Sequence, residues 1–371
     1  MWITLPIFYV LLLFSYTLGW KRLKIWNFPN DYVPSTQICI IVPARNEAAN
    51  IQSCLQSILQ QKYPKNLFEI IVVDDHSVDN TKKLAKSIQE ENMCIIELNR
   101  VGTQGKKMAI ATAIQQTNAT LIVTTDADCI VPPDWLMALA SFYEQHEVKF
   151  ITGSVVFEPV NTLWQKIWAL DFIGMMGITG ASVAHNWSNM SNGANLAYER
   201  AAFMEVNGFE GIDQIASGDD LLLMEKIAKR YPKQTAFLKS RKAIVQTLPP
   251  ANFNEFLQQR IRWTSKSVFY KDWKITTILG LVWLFNVSIL FTFCLFLGGY
   301  PQSGMWICGQ LLAKSVVDAL FLWSCMDFFK EKSKLLWLFL PTQLFQIPYI
   351  AWVGFIGNLG LSYEWKSRKV K

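Results

Sequence analysis

The sequence predicts an α/β domain, built on a mainly parallel sheet, that is joined to apolar membrane segments at both ends. Apolar residues make up 51% of the 371-residue chain and charged residues only 17%, whereas soluble domains carry about 25% charged residues. The apolar excess lies at the two ends of the chain. Between them, short apolar runs alternate with helical patterns, which is typical of βα units wound right-handed.

The first apolar stretch is predicted to be a membrane anchor. Residues 2–19 carry no charge and are followed by Trp20 and a Lys-Arg-Leu-Lys run. Their number is close to the roughly 20 residues that cross a bilayer. A cleaved signal peptide would carry its positive charge before the apolar run, not after it. We therefore expect residues 1–20 to be an uncleaved anchor whose C-terminal end faces the cytoplasm.

Residues 31–250 are predicted to form the water-facing domain. Helical patterns over Glu47–Gln61 and Asp79–Glu90 separate buried apolar runs. Because ligands of such sheets bind beyond the carboxyl ends of the strands, functional side chains should follow strands directly. The predicted strands are Ile38–Val42, Phe68–Val73, Cys94–Leu98, Leu121–Thr125 and Phe150–Val156.

Residues 273–361 contain three further membrane or re-entrant segments, which are followed by a basic tail over 362–371. The uncharged loop 298–303 indicates the outer side and the lysine-rich Lys330–Lys334 the cytoplasm. Three crossings would place the basic tail outside, against the positive-inside rule. Two prolines, Pro341 and Pro348, interrupt the last segment, so the sequence leaves open whether it crosses the membrane.

Two further segments are predicted to lie at the membrane surface. Residues 163–184 are rather apolar and begin with Trp164 and Trp168, which suit the headgroup region. A single crossing here would separate acidic residues that a shared site needs on one side. Residues 251–272 form a second, basic and aromatic interface helix.

Charge and cysteine content exclude several classes of protein. The formal net charge of +6 comes from basic residues beside apolar segments, which suits anionic lipid and not nucleic acid. Seven cysteines are scattered singly and the three histidines show no ligand spacing. We therefore expect reduced cysteines and neither a zinc site nor a redox pair.

Acidic pairs follow two of the predicted strands. Asp74 and Asp75 come after the second strand, where a carboxylate can accept hydrogen bonds from a base or a ribose. Asp126 and Asp128 close the fourth strand. Acids beside an anionic diphosphate need a cation between them, and Mg²⁺ or Mn²⁺ takes carboxylate and phosphate oxygens together. An isolated Asp-x-Asp is weak evidence, but its place at a strand end makes it strong.

Three further motifs complete the candidate site. Gly105-Lys106-Lys107 opens a helical pattern, and a helix N-terminus with a lysine suits phosphate, although Lys107 fits a solvated residue equally well. Asp219 and Asp220 follow Gly218; one acid can cap the next helix while the other takes a proton from an acceptor hydroxyl. Gln259, Arg262 and Trp263 precede the membrane segments, where an arginine can bind diphosphate in bidentate fashion.

Together these motifs resemble family 2 glycosyltransferases with the GT-A fold, in the membrane-bound ceramide glucosyltransferase-like and polysaccharide synthase-like branch. The likeness covers about residues 36–265. It implies a cytoplasmic GT-A domain with a Rossmann-like mixed sheet, an N-terminal anchor and C-terminal transmembrane helices.

The resemblance also implies residue roles. Asp220 matches the catalytic base, with Asp219 as the alternative because Gly218 and Asp219 replace the usual Thr-Glu pair. Asp128, with Asp126, matches the metal ligands. Asn192, Gly193 and Asn195 resemble, with Asp219, the sugar and acceptor pocket. The implied donor-binding residues are Pro43, Glu47, Asp75, Lys106, Asp126, Gln259, Arg262 and Trp263.

The expected activity is an inverting, metal-dependent transfer of a sugar from a nucleotide donor to a lipid-linked or saccharide acceptor at the cytoplasmic face of a membrane, such as the bacterial inner membrane. UDP is favoured by the habit of the family and GDP stays open. A processive polysaccharide synthase is the alternative enzyme. A transporter, suggested by Lys314 and Asp318 inside an apolar segment, or a nucleotide-binding scaffold are the non-enzymatic ones. The sequence does not predict an oligomeric state.

Overall fold

The computed structural model describes residues 3–98, 105–187, 190–215, 218–265, 272–357, 363–365 and 368–370. Its contacts divide the chain into two units. The sheet unit comprises Lys24–Glu158 and Asn189–Leu248. The helical unit comprises Met1–Leu23, Pro159–Ser188 and Pro249–Lys371.

The sheet unit contains a seven-stranded mixed sheet and a smaller three-stranded sheet. Its strands are β1 (Ile38–Ala44), β2 (Phe68–Asp74), β3 (Met93–Glu97), β4 (Leu121–Thr124), β5 (Cys129–Ile130), β6 (Phe150–Gly153), β7 (Val155–Phe157), β8 (Leu196–Glu199), β9 (Thr235–Leu238) and β10 (Val245–Thr247). Its helices are α2 (Ile51–Leu59), α3 (Thr81–Lys86), α4 (Lys106–Ile114), α5 (Trp135–Gln145), α7 (Arg200–Glu205) and α8 (Leu221–Arg230), with 3₁₀ turns at Lys65–Leu67 and Arg241–Ala243.

The strand order β3-β2-β1-β4-β8-β6-β9 confirms the predicted α/β class with a mixed sheet. β1 runs parallel to β2 and β4, and β2 runs parallel to β3. β8 is antiparallel to both β4 and β6. The carboxyl ends of β1, β2 and β4 therefore open on one edge of the sheet, which is where the predicted acidic pairs follow their strands.

Helices α2 and α3 are shorter than the sequence predicts. The loops that precede them form turns, and these turns are hydrogen-bonded to each other. α2 begins at Ile51 and not at Glu47, since Asn46 adopts a left-handed φ of 51°. Asp79 lies outside α3 and accepts hydrogen bonds from the backbone N–H groups of Thr81 at 3.0 Å and Ala48 at 3.1 Å. These contacts join the loops that follow β1 and β2.

The helical unit contains five helices that are long and apolar enough to cross a membrane. The last of these candidate spans, Ser333–Gly357, is helical through Pro348. Residues 362, 366, 367 and 371 of the predicted basic tail and 266–271 of the predicted interface segment lie outside the described residues. The elements of the unit are α1 (Thr4–Arg22), α6 (Leu163–His185), α9 (Phe253–Thr264), α10 (Trp273–Leu297), α11 (Gln302–Met326), a 3₁₀ segment (Lys330–Leu338), α12 (Phe339–Gly357), β11 (Tyr363–Trp365) and β12 (Arg368–Val370).

Helix α6 differs from the interfacial helix that the sequence analysis expects. Residues 159–188, predicted to lie within the 31–250 domain, group with the helical unit. Of the apolar window of α6, 78% is buried, so the helix lacks the exposed polar face of a surface-lying helix. Strand β8, which follows α6, nevertheless pairs with β4 and β6, which precede it. Both flanks must therefore lie on the same side of any membrane, and α6 is not a single crossing.

Asn195 is a buried cross-link and not a pocket residue, which corrects the prediction that it lines the acceptor pocket. It is fully buried. Its amide donates to the carbonyls of Ser154 at 2.9 Å and Ala243 at 2.8 Å, and its Oδ1 accepts from Trp135 Nε1 at 3.0 Å. A Cβ at Gly153 would lie 2.4 Å from the same amide. The side chain thus ties together β6, α5 and the turn before β10.

We expect Asn195→Ala to lower the melting temperature of the full chain in detergent by about 5–10 °C, because it removes three buried hydrogen bonds, among them the one that the N–H of Trp135 donates, and an unpaired buried group costs about 1–3 kcal/mol. Asn80→Ala is the matched control, since Asn80 is exposed and makes no capping hydrogen bond with its side chain. Equal melting temperatures for the two variants, measured by scanning fluorimetry, would refute the structural role.

Candidate active site

Three of the predicted donor residues, Asp75, Lys106 and Asp126, meet at the N-terminus of α4. Asp75 is 4% exposed directly after β2. Its Oδ2 accepts a hydrogen bond from the backbone N–H of Gly105 at 3.0 Å, and its Oδ1 lies 3.1 Å from His76 Nδ1. Gly105 has a φ of +99°, a conformation that glycine adopts without a steric penalty. A carboxylate is favoured here because the helix N-terminus carries partial positive charge.

Lys106, the first residue of α4, bridges two acids from distant parts of the chain. Its Nζ lies 2.6 Å from Asp126 Oδ1 and 3.1 Å from Asp219 Oδ2. Burial of Lys106 opposes its charge, but the nearby carboxylates of Asp126, Asp219 and then Asp220 outweigh this and raise its pKa above the ordinary value. The lysine therefore remains a cation throughout the neutral pH range.

The two candidate bases lie beside this lysine in different environments. Asp219 is in the ion pair with Lys106, whereas Asp220 is the N-cap of α8 and accepts from the backbone N–H of Leu221 at 2.7 Å. The other oxygen of Asp220 accepts from the N–H of Gly193 at 3.2 Å. A Cβ at Gly193 would lie 2.6 Å from Lys106 Nζ, so only a glycine lets the backbone approach the cluster without a shift of that lysine.

The Asn192–Gly193 turn therefore belongs to the cluster, as the resemblance implies. Asn192 Oδ1 accepts from the N–H of Ala194 at 3.0 Å, which fixes the turn. Residue 217, part of the predicted acidic motif, lies outside the described residues. From four separate segments of the sequence, the structure brings together Lys106, Asp126, Gly193, Asp219 and Asp220.

The loop after β4 supplies two carboxylates that could contribute to a metal site. Asp126 has a side chain that is 38% exposed, and the Oδ1 of the half-buried Asp128 accepts from the thiol of Cys129 at 3.6 Å. Within the described ranges no group of three His, Cys, Asp or Glu residues forms a protein-only metal cage. Carboxylate oxygens are hard donors, so the pair fits Mg²⁺ or Mn²⁺ only when substrate oxygens complete the coordination.

Pro43 and Glu47 border the same edge of the sheet. Pro43 is in β1 opposite Val73 of β2. Glu47 is buried; its backbone N–H donates to Thr81 Oγ1 at 2.7 Å and its carboxylate accepts from Asn50 at 2.7 Å. The structure thus places Pro43 near the end of β1 and Glu47 in the loop that follows it. Their contact with a nucleoside stays a prediction.

The Gln-x-x-Arg-Trp motif lies on α9, in the helical unit. Arg260, which the sequence analysis did not single out, is 4% exposed and its Nη2 lies 2.8 Å from Asp171 Oδ2. Its guanidinium carbon lies 4.6 Å from the ring centre of Trp263, and that ring stacks on Phe172 at 6.0 Å. The roles predicted for Gln259, Arg262 and Trp263 at the donor and acceptor stay predictions.

The mixed α/β sheet, with acids after β2 and β4 and before α8 near the N-terminus of α4, has the arrangement of a GT-A-like fold. Residues 39–203 match the model described as glycosyl transferase family 2. The chain therefore contains a segment similar to glycosyltransferase family 2.

Comparisons with individual proteins agree with this assignment. Glycosyltransferase AglE of Haloferax volcanii is 33% identical over 124 residues, which are 33% of this chain and 41% of that protein. A poly-beta-1,6-N-acetyl-D-glucosamine synthase of Staphylococcus aureus is 26% identical over 230 residues, covering 61% of this chain and 53% of the synthase. The chain thus spans about half the length of these curated relatives.

Among solved structures, the mannosyltransferase PcManGT of Pyrobaculum calidifontis, in complex with GDP-Man and Mn²⁺, aligns over 97% of this chain and 98% of its own, with a TM-score of 0.54 and 19% identity. At this identity the likeness concerns the fold alone. It extends over nearly the whole chain, including the part that contains the apolar helices.

Proposed function

We propose that the chain transfers a sugar from a nucleoside diphosphate sugar to a lipid-linked or membrane-embedded acceptor in one inverting step, at the cytoplasmic face of a membrane. The observation that carries this proposal is the bridge of Lys106 between Asp126 and Asp219 at the N-terminus of α4. It provides a cation at a helix N-terminus, which suits a diphosphate, directly beside carboxylates that can accept a proton.

In the proposed reaction, Asp220 accepts the proton of an acceptor hydroxyl as its oxygen forms a bond to the anomeric carbon. The bond between that carbon and the diphosphate oxygen breaks on the opposite face. The N–H groups of Gly193 and Leu221 hold the carboxylate of Asp220 in one orientation, which is what a general base in a single-step displacement requires. Asp219 is the alternative base, and its pairing with Lys106 must loosen before it can accept a proton.

Lys106 is proposed to bind the diphosphate oxygens through its ammonium group, and Asp75 to bind the nucleoside. A divalent cation held by Asp128 and Asp126, when bound, neutralises the charge that develops on the leaving diphosphate. Arg262 would add a bidentate contact to the same diphosphate. Since Lys106 already pairs with Asp126, phosphate oxygens would compete with that carboxylate for one ammonium group.

The apolar helices support an acceptor that lies in the membrane. Five candidate spans would keep the chain at a bilayer, where a lipid-linked acceptor also lies. The donor is proposed to be a UDP-sugar, with GDP as the second candidate. The basic residues beside α1, Lys21, Arg22 and Lys24, favour the cytoplasmic side for the sheet unit.

A processive polysaccharide synthase is the second candidate, favoured by the likeness to the poly-beta-1,6-N-acetyl-D-glucosamine synthase. A long polymer needs a channel through several crossings, and the described residues offer five candidate helices, one of which, α6, is not a single crossing. We therefore favour the addition of one or a few sugars.

A transporter is not favoured. Lys314 Nζ lies 2.6 Å from Asp318 Oδ2, and the Tyr9 hydroxyl donates to Asp318 Oδ1 at 2.7 Å. Lys314 also donates to that hydroxyl at 3.3 Å. All three side chains are buried, so this network joins α1 to α11 as a structural contact.

Nucleotide-sugar binding should be visible as stabilisation. A scanning-fluorimetry screen of the full chain in detergent, with UDP- and GDP-sugars in the presence and absence of Mn²⁺, should show a specific increase in melting temperature, because a ligand that binds only the native state stabilises it by about 2.7 kcal/mol at 100 times its Kd. Asp128→Asn should lose the part of the shift that needs Mn²⁺. No shift with any donor and metal would contradict the proposal.

The two candidate bases are separated by matched substitutions. Asp220→Asn should lower kcat by roughly 10²–10⁴-fold, the range of general-base catalysis, and leave donor affinity within a few-fold. Asp219→Asn should instead raise donor affinity, since it removes a carboxylate that competes with phosphate oxygens for Lys106. A normal kcat for Asp220→Asn together with an inactive Asp219→Asn would assign the base to Asp219.

The size of the product distinguishes single transfer from processive synthesis. With a radiolabelled donor and a lipid extract as acceptor, we expect the label to move with the lipid as a product of one or a few sugars. The matched control is Asp220→Asn, which should leave the label in the donor. A ladder of long chains would refute our preference and support the polymerase.

A further inference from the structure

Lys107 is a buried cation in the sheet unit that the proposed mechanism does not use. It is 6% exposed. Its Nζ donates to the carbonyl oxygens of Ile212 at 2.6 Å and Ile215 at 2.7 Å. Removing an ammonium group from water is unfavourable unless its N–H groups are hydrogen-bonded. The pattern Lys106-Lys107 equally fitted a solvated pair, so this burial is information that only the structure supplies.

The two carbonyls belong to the segment that leads into the candidate bases. We name residues 206–220, between α7 and α8, the acid loop; 216 and 217 lie outside the described residues. Its described part is a series of turns, with positive φ at Gly208, Gly211 and Gly218. A segment without helix or strand needs other partners for its backbone polar groups, and Lys107 provides two of them.

Consecutive lysines of α4 therefore bind two parts of the same loop. Side chains of neighbouring helical residues point about 100° apart, so Lys106 and Lys107 diverge. Lys106 pairs with Asp219 at 3.1 Å, while Lys107 binds Ile212 and Ile215. The N–H of Gly105, just before them, is bound by Asp75. The start of α4 is thus connected both to the proposed nucleoside site and to the acid loop.

We propose that Lys107 is a positioning residue of the proposed transferase: it fixes the acid loop on α4 so that Asp219 and Asp220 stay beside Lys106. The proposal rests on the function proposed above. It implies that Lys107 affects the chemical step and not the donor contacts, because its ammonium group bonds to backbone of the loop. A displacement of a catalytic group by about 1 Å can cost about 100-fold in rate.

The test is Lys107→Met in the full chain in detergent, which removes the charge and keeps a long apolar side chain. We expect kcat for sugar transfer to fall by about 10- to 100-fold while the KM for the donor stays nearly constant. Lys226→Met is the matched control: Lys226 donates to the carbonyls of Gly208 at 2.6 Å and Glu210 at 2.8 Å, in the part of the same loop farther from the acids. It should change kcat by no more than about threefold.

Hydrogen exchange gives a readout that does not require activity. In Lys107→Met, amides over 212–215 and 218–222 should exchange faster than in the wild type, and in Lys226→Met they should not. This result tests the positioning role even if the wild-type protein transfers no sugar, in which case only the proposed function fails. A wild-type kcat with unchanged exchange in Lys107→Met, or an equal loss of kcat in both variants, would overturn the proposal.

A second variant guards against a folding defect. Lys107→Gln keeps two N–H donors on a shorter, neutral side chain, so it should fold and show an intermediate loss of kcat with unchanged donor KM. If Lys107→Met gives no folded protein, Lys107→Gln decides: a wild-type kcat and wild-type exchange over 212–215 would overturn the positioning role.

Discussion

The sheet unit depends on the neutralisation of clustered acids at the start of α4. Asp126, Asp219 and Asp220 approach a single ammonium group, that of Lys106. Two like charges 4 Å apart repel by about 4 kcal/mol at an effective dielectric constant near 20, so acids from different strand ends gather only where positive charge is present. The lysine supplies a full charge and the helix N-terminus a partial one, which Asp75 uses through the N–H of Gly105. The same positive field that assembles the protein's carboxylates is suited to a diphosphate.

Local sequence patterns were enough to predict β1 to β4 and the acids that follow β2 and β4. The run Phe150–Val156, predicted as one strand, is divided between β6 and β7 in different sheets, and β5, β8, β9 and β10 were not predicted. A buried strand is a continuous apolar run, and the residues after it open on a known edge of the sheet, so Asp75 and Asp126 could be placed before any coordinates. The pattern cannot specify what a side chain binds across the sheet. Asn195 follows a turn motif as a pocket residue would, but its side-chain amide is hydrogen-bonded to Trp135, Ser154 and Ala243. Lys107 looks solvated for the same reason, since its partners are carbonyls about 105 residues away.

Helix α6 shows how sheet topology constrains membrane topology. Its length and composition alone would make it a crossing, and its isolated tryptophans suggested a surface helix. Neither description uses the pairing of β4 with β8, which joins the chain before the helix to the chain after it. Strand pairing is a long-range constraint that no window of hydropathy contains. It requires the chain to enter and leave α6 on the same side of any membrane. The apolar surface of this helix is largely buried within the protein.

Charged residues inside the helical unit are paired with each other, and the same expectation could have been applied to Asp171. Intramembrane ionisable residues pair with each other, and Lys314 was recognised with Asp318 because the two lie four residues apart. Asp171, the only acid of α6, has its partner Arg260 on α9 at 2.8 Å, with Tyr349 of α12 donating to the same carboxylate at 2.9 Å. Because Arg260 is buried, the face of α9 that carries it is the packing face, and residues three or four positions away share this face. Trp263 therefore lies on the packing face with Arg260, against Phe172. Gln259, four residues before Trp263, lies near the same face, and its Oε1 is buried. The tryptophan of the motif thus packs α9 against its neighbours, whatever part it also has in binding a substrate.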